Sequence, residues 1–65
     1  MGYHKGMLLR CVTKYLTYFT YQGIYEVLSD PEVDNKGNLV ITVYDDEGDI
    51  HYLSLDFIPN RFVIE

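Results

Sequence analysis

Residues 39–54 read LVITVYDDEGDIHYLS. From Leu39 to Tyr44, Leu39, Ile41 and Val43 alternate with Val40, Thr42 and Tyr44, and β-branched side chains dominate. A period of two with branched side chains is the pattern of an extended strand, packed on at least one face. Asp45-Asp46-Glu47-Gly48 follows, acidic residues closed by a glycine, and Asp49 to Ser54 then resumes the extended pattern. Turn residues set between two alternating runs predict a β-hairpin.

On the N-terminal side, Asn35-Lys36-Gly37-Asn38 carries turn chemistry, with a glycine free to take positive φ. Asp30-Pro31 stops whatever strand precedes it, because proline donates nothing to a ladder and restricts its predecessor. That strand spans Ile24 to Ser29, with Tyr25 and Val27 on one face and Ile24, Glu26 and Leu28 on the other. Before it, Tyr15 to Gln22 (YLTYFTYQ) has no clear period and reads as a long, partly extended loop. Met7 to Lys14 forms a first strand whose two faces are both largely apolar, so the pattern leaves its inward face open. On the C-terminal side, Leu55 to Ile58 precedes Pro59 and is too short for a stable α-helix; it reads as a single 3₁₀ turn. Arg61 to Ile64 completes the pattern as a short last strand, and no stretch longer than about two turns has helical periodicity. The fold class is all-β.

Arg10-Cys11-Val12, Gly23-Ile24-Tyr25-Glu26-Val27, Tyr44-Asp45-Asp46-Glu47-Gly48, His51-Tyr52-Leu53, Asp56-Phe57-Ile58 and Arg61-Phe62-Val63 are the strand and turn strings that carry a family resemblance. From residue 8 onward the chain resembles the small SH3-like barrel proteins encoded by bacteriophages and prophages of Gram-positive bacteria. The resemblance implies a five-stranded SH3-like β-barrel with a 3₁₀ turn before the last strand. It carries no catalytic residues. Some phage proteins of this size bind host replication, transcription or defence proteins, which makes a host protein the implied partner and the bacterial cytoplasm the implied compartment. Residues 1–6 read as a flexible N-terminal extension ahead of a single domain over residues 7–65.

Composition narrows the function. Sixty-five residues make one domain, and a chain this short buries only about 60% of its unfolded surface. Seven tyrosines and three phenylalanines supply large buried areas to build a small core. Cys11 is the only cysteine, so neither an internal disulfide nor a cysteine cage for zinc can form, which fits a reducing cytoplasm. No apolar run approaches the roughly 18 residues of a membrane span, and no membrane partner is expected. The formal charge of −5 is split: residues 1–22 carry Lys5, Arg10 and Lys14 without an acid, while ten acids oppose Lys36 and Arg61 in residues 23–65. Duplex-binding proteins carry basic stripes, so nucleic acid is disfavoured as a partner.

No motif supports metal or cofactor binding. Asp30, Glu32 and Asp34 alternate like the start of a calcium loop, but Asn35 stands where its glycine belongs and Ile41 where its bidentate glutamate belongs. The acidic run at residues 45–49 has the composition of a solvated hairpin tip. Cys11 with His51 or His4 is the one nucleophile–base combination available, and Cys11 reads as a small buried hydrophobe among apolar neighbours. His51 reads as a half-exposed sheet residue. The expectation is therefore a non-enzymatic module.

Two features remain as candidate binding elements: the aromatic loop residues Tyr15, Tyr18, Phe19 and Tyr21, and the acidic hairpin residues Asp45, Asp46, Glu47 and Asp49. Aromatic side chains are favoured interface anchors, though some of these rings are also expected to close the end of the barrel. A single-sign acidic surface steers basic partners, though it also keeps a small protein in solution. Two alternatives accompany the protein-binding reading. One is a small nucleic-acid-binding barrel that uses Lys5, Arg10, Lys14 and base stacking on the loop. The other is a self-associating protein that pairs its sheet edges, so that both monomer and homodimer stay open.

Overall fold

The computed structural model describes residues 2–65, and Met1 lies outside them. Six strands form: β1 (Leu8–Cys11), β2 (Ile24–Glu26), β3 (Glu32–Val33), β4 (Leu39–Tyr44), β5 (Ile50–Ser54) and β6 (Phe62–Ile64). A 3₁₀ turn at Ile58–Asn60 stands immediately before β6. The strands pair antiparallel in two three-stranded sheets, ordered β2-β1-β6 and β3-β4-β5.

The hairpin sets the register of the second sheet. Ile41 lies opposite Leu53 and Val43 opposite His51, with Ile41, Val43 and Leu53 buried. Its turn holds because Asp45 Oδ1 accepts the backbone N–H groups of Glu47 at 2.9 Å and Asp49 at 3.0 Å. Gly48 supplies the left-handed residue the turn needs, at φ 82°.

The sheets are joined by a bend at adjacent residues. Val27 N–H donates to Met7 O at 2.8 Å, which extends the first sheet, and Leu28 N–H donates to Thr42 O at 2.8 Å in the second. A strand that switches sheets at a bend makes the corner between two packed sheets. Beyond Pro31, β3 completes the transfer by placing Glu32 opposite Val40 and Val33 opposite Leu39. Asp34 Oδ1 then ties the following turn through the N–H groups of Lys36 and Asn38, both at 2.9 Å.

Three expectations are corrected. The ladders form two three-stranded sheets in place of a closed five-stranded barrel. A sixth strand, β3, lies between the Asp30-Pro31 stop and the turn at residues 35–38, where no strand is expected, because its two residues are extended by pairing with β4 and not by any pattern of their own. The 3₁₀ turn falls at Ile58–Asn60 instead of Leu55–Ile58, since Pro59 suits the start of a helical turn.

Leu9, Cys11, Phe19, Tyr25, Val27, Ile41, Val43, Leu53, Ile58 and Phe62 make one core cluster between the sheets. The open question of β1 is settled by its register: Leu9 opposite Tyr25 and Cys11 opposite Phe62 point inward, while Leu8 is exposed. Each such burial of a large apolar side chain contributes about 1.5–3 kcal/mol. The stretch before β1 is tied to the same sheet, with Gly6 N–H on Val27 O at 2.8 Å and Lys5 N–H on Asp30 Oδ1 at 2.9 Å.

Candidate functional site

The loop between β1 and β2 folds back onto the β4–β5 turn. Its anchor is Asp46, whose Oδ1 accepts the Tyr25 hydroxyl at 2.6 Å and whose Oδ2 accepts the Thr20 hydroxyl at 2.8 Å. Thr20 N–H in turn donates to the Tyr25 hydroxyl at 2.7 Å, and Asp46 N–H donates to Tyr18 O at 2.9 Å. Burial, and then the bond to the Asp46 carboxylate, push the Tyr25 phenol above its ordinary pKa. The loop re-enters β2 through Gln22, at φ 73°, with Gln22 N–H on Cys11 O at 2.7 Å. Gly23 is required by space at this point. A Cβ there would stand 2.9 Å from the Tyr25 hydroxyl and 3.0 Å from Thr20 O.

Asp45 is the second anchor. Burial opposes its ionisation, but the Asp49 N–H, His51 and the Glu47 N–H outweigh that and hold its carboxyl below the usual range. His51 Nδ1 lies 3.3 Å from Asp45 Oδ2. The His51 ring is flanked by Tyr18, with centroids 5.7 Å apart, and by Phe19 edge-on at 5.1 Å. Phe19 also meets Tyr25 at 4.9 Å and Phe62 at 5.3 Å, both edge-on.

The aromatic loop and the acidic hairpin are thus brought together, but their residues divide by role. Phe19 is buried in the core and Asp45 is buried beneath the turn, so neither belongs to an accessible surface. Asp46 is engaged by Tyr25 and Thr20. Tyr15 is 91% exposed, and Tyr18 and Tyr21 of the same loop are exposed as well. Glu47 and Asp49 are exposed with no side-chain hydrogen bond among the described residues. Lys14 Nζ stands 5.2 Å over the Tyr21 ring. The surface that remains is Tyr15, Tyr18, Tyr21, Glu47 and Asp49.

Other groups considered for chemistry are occupied. The Cys11 thiol is fully buried and donates to Thr13 O at 3.4 Å. Arg10 makes a two-pronged pair with Glu65, Nε to Oε1 at 2.8 Å and Nη2 to Oε2 at 2.7 Å. Among the described residues, no three His, Cys, Asp or Glu side chains gather in reach of one metal ion, and no helix is long and apolar enough to cross a membrane.

Thr20, Tyr25 and His51 join this end of the molecule without any mark in the sequence pattern. Tyr44, Ile50 and Tyr52, absent from the expected binding elements, stand exposed on the outer face of β4 and β5. The alternation within the hairpin already placed those three opposite Ile41, Val43 and Leu53. Across the same outer face runs a shallow groove of about 460 Å³ bounded by Glu32, Val33, Asp34, Asn35, Val40 and Tyr52. Comparison with known protein families, with curated proteins and with solved structures found no match to this chain.

Proposed function

We propose that the chain is a non-enzymatic protein-binding module of phage or prophage origin, with an SH3-like arrangement, that docks onto a host protein in the bacterial cytoplasm. The observation that carries this reading is the pairing of exposed tyrosine rings with unengaged carboxylates on one hydrogen-bonded end of the molecule. Tyrosine anchors bury large areas at little entropic cost, and free acidic groups at their rim select a basic partner surface. The clasp between Asp46, Thr20 and Tyr25 supports it further, because a loop held before binding loses less entropy on docking. The bent passage from β2 to β3, the long loop after β1 and the 3₁₀ turn before β6 support the SH3-like reading. The sealed thiol of Cys11 supports a non-catalytic role.

The test is affinity capture with the wild-type chain and two surface variants, Tyr15→Ala/Tyr18→Ala and Glu47→Lys/Asp49→Lys. Neither double variant removes a side chain of the Asp46 clasp. A host protein retained by wild type and lost by both variants supports the reading. Capture that survives both variants sinks it, and retention of nucleic acid in place of protein transfers the function to the basic residues Lys5 and Lys14.

A further inference from the structure

We infer that the free edge of β5 accepts an extended basic peptide as an added antiparallel strand. The inference rests on the protein-binding reading and names both a second surface and the chemistry of its occupant.

The hydrogen-bond phase of the β4–β5 hairpin fixes what this edge presents. Asp45 N–H donates to Asp49 O at 2.9 Å at one end, and Leu55 N–H donates to Leu39 O at 3.1 Å at the other. Antiparallel ladders alternate bonded and non-bonded pairs, so Val43/His51 and Ile41/Leu53 are the bonded pairs between those ends. The backbone groups of Ile50, Tyr52 and Ser54 therefore point away from β4. The same phase on β4 sends Thr42 O outward, where it accepts Leu28 N–H. β5 is the outermost strand of its sheet, and among the described residues only Ser54 O, of these outward groups, finds a local partner, the N–H of Phe57 at 3.0 Å. The N–H and C=O groups of Ile50 and Tyr52 are left to an incoming strand.

An unpaired edge is ordinarily protected by a lysine, a proline or a covering loop. β5 has neither lysine nor proline, and Ile50 and Tyr52 are exposed along it. Its surroundings choose the occupant. Between Gly37 and Asn60 there is no Lys or Arg, while Glu47 and Asp49 stand exposed at one end of β5 and Asp56 at the other. Arg61, the next cation along the chain, is held over the Phe57 ring at 4.2 Å. A second copy would bring the same carboxylates against their counterparts, which disfavours pairing of like edges. A strand with Lys or Arg at alternate positions relieves that charge. Its outward side chains would flank the exposed Tyr52 ring, with Glu47 and Asp49 at one end of the edge and Asp56 at the other.

The experiment uses the full ¹⁵N-labelled chain and a synthetic peptide of about nine residues alternating lysine with valine or threonine, long enough to span the edge. Strand addition slows amide exchange at Ile50 and Tyr52 when the peptide binds. N-methylating consecutive central residues of the peptide, which removes its donors and leaves the protein untouched, weakens binding about tenfold or more. Tyr52→Pro, which deletes an outward N–H and no ladder bond, does the same. A glutamate-for-lysine peptide shows no binding. Peptide-induced shifts confined to Tyr15, Tyr18 and Tyr21, with Ile50 and Tyr52 unprotected, overturn strand addition while leaving the docking surface standing. Binding unaffected by N-methylation also overturns it. Protection of Ile50 and Tyr52 that rises with protein concentration alone assigns the edge to a second copy and refutes the peptide.

Discussion

Tyr25 on β2 donates its hydroxyl proton to Asp46 in the β4–β5 turn across 2.6 Å, joining segments 21 residues apart. The same hydroxyl accepts from Thr20 N–H, so one phenol oxygen serves both the loop and the hairpin. Removing it leaves Asp46 Oδ1 and Thr20 N–H without their partner. Tyr25→Phe is therefore expected to cost about 1–2 kcal/mol, read as a lower urea midpoint at unchanged slope. Amide exchange at Thr20 and Gln22 should quicken while that of Ile41 and Leu53 falls only with global stability. An unchanged loop exchange rate would show that the clasp does not hold the loop.

Aromatic residues of the loop separate sharply by burial. Phe19 is 6% exposed and Tyr15 91%. Phe19→Ala opens a core cavity beside Tyr25 and Phe62 and is expected to cost about 3–5 kcal/mol, a large share of the stability of so small a domain. Tyr15→Ala should stay within about 0.5 kcal/mol of wild type. Thermal melts of the two variants side by side check the contrast.

Gly23 is predicted to resist even one added methyl. A Cβ would press on the anchored Tyr25 ring and on backbone at Thr20, neither of which is the free end of a flexible side chain. Gly23→Ala should destabilise by about 1–3 kcal/mol, as overpacking does. Combined with Tyr25→Phe the penalty should shrink, because the closest contact, the hydroxyl, is gone; a double-mutant cycle measures that coupling.

Acid should destabilise the chain through Asp45, Asp34 and Glu65. Burial works against Asp45, and the bonds from Asp49, His51 and Glu47 more than compensate. Backbone N–H groups of Asn38 and Lys36 hold Asp34 low, and the Arg10 guanidinium holds Glu65 low. All three carboxyls bind a proton less readily folded than unfolded. Their stabilisation is complete above the unfolded carboxyl range and is lost as pH falls below about 4. Urea melts between neutral pH and about pH 3 should show a plateau and then a decline, shallower in Asp45→Asn. A stability that rises on acidification would contradict the assignment.

The all-β class, the β4–β5 hairpin and the faces of β2 are legible in the chain before it folds. Each depends on residues two apart in the chain or on the chemistry of a local turn. Leu39 to Tyr44 and the Asp45–Gly48 turn stand where their own alternation and glycine require. Cys11 as a buried small hydrophobe was legible for the same reason, its apolar neighbours on β1.

Tertiary structure alone decided the rest. Nothing in YLTYFTYQ distinguishes Phe19 from its tyrosine neighbours, because the run has no period and the choice is made by the core space beside Tyr25 and Phe62. β3 exists only through β4, and the split into two sheets follows from the bend at Val27 and Leu28, which hydrogen bonds from opposite sheets impose. Asp45 and Asp46 look like the solvated acids beside them until distant residues meet them: His51 and the turn amides for one, Thr20 and Tyr25 for the other. A local pattern can set how a segment extends. Which partner it meets depends on closing loops of many residues, whose outcome is fixed only when the whole core packs.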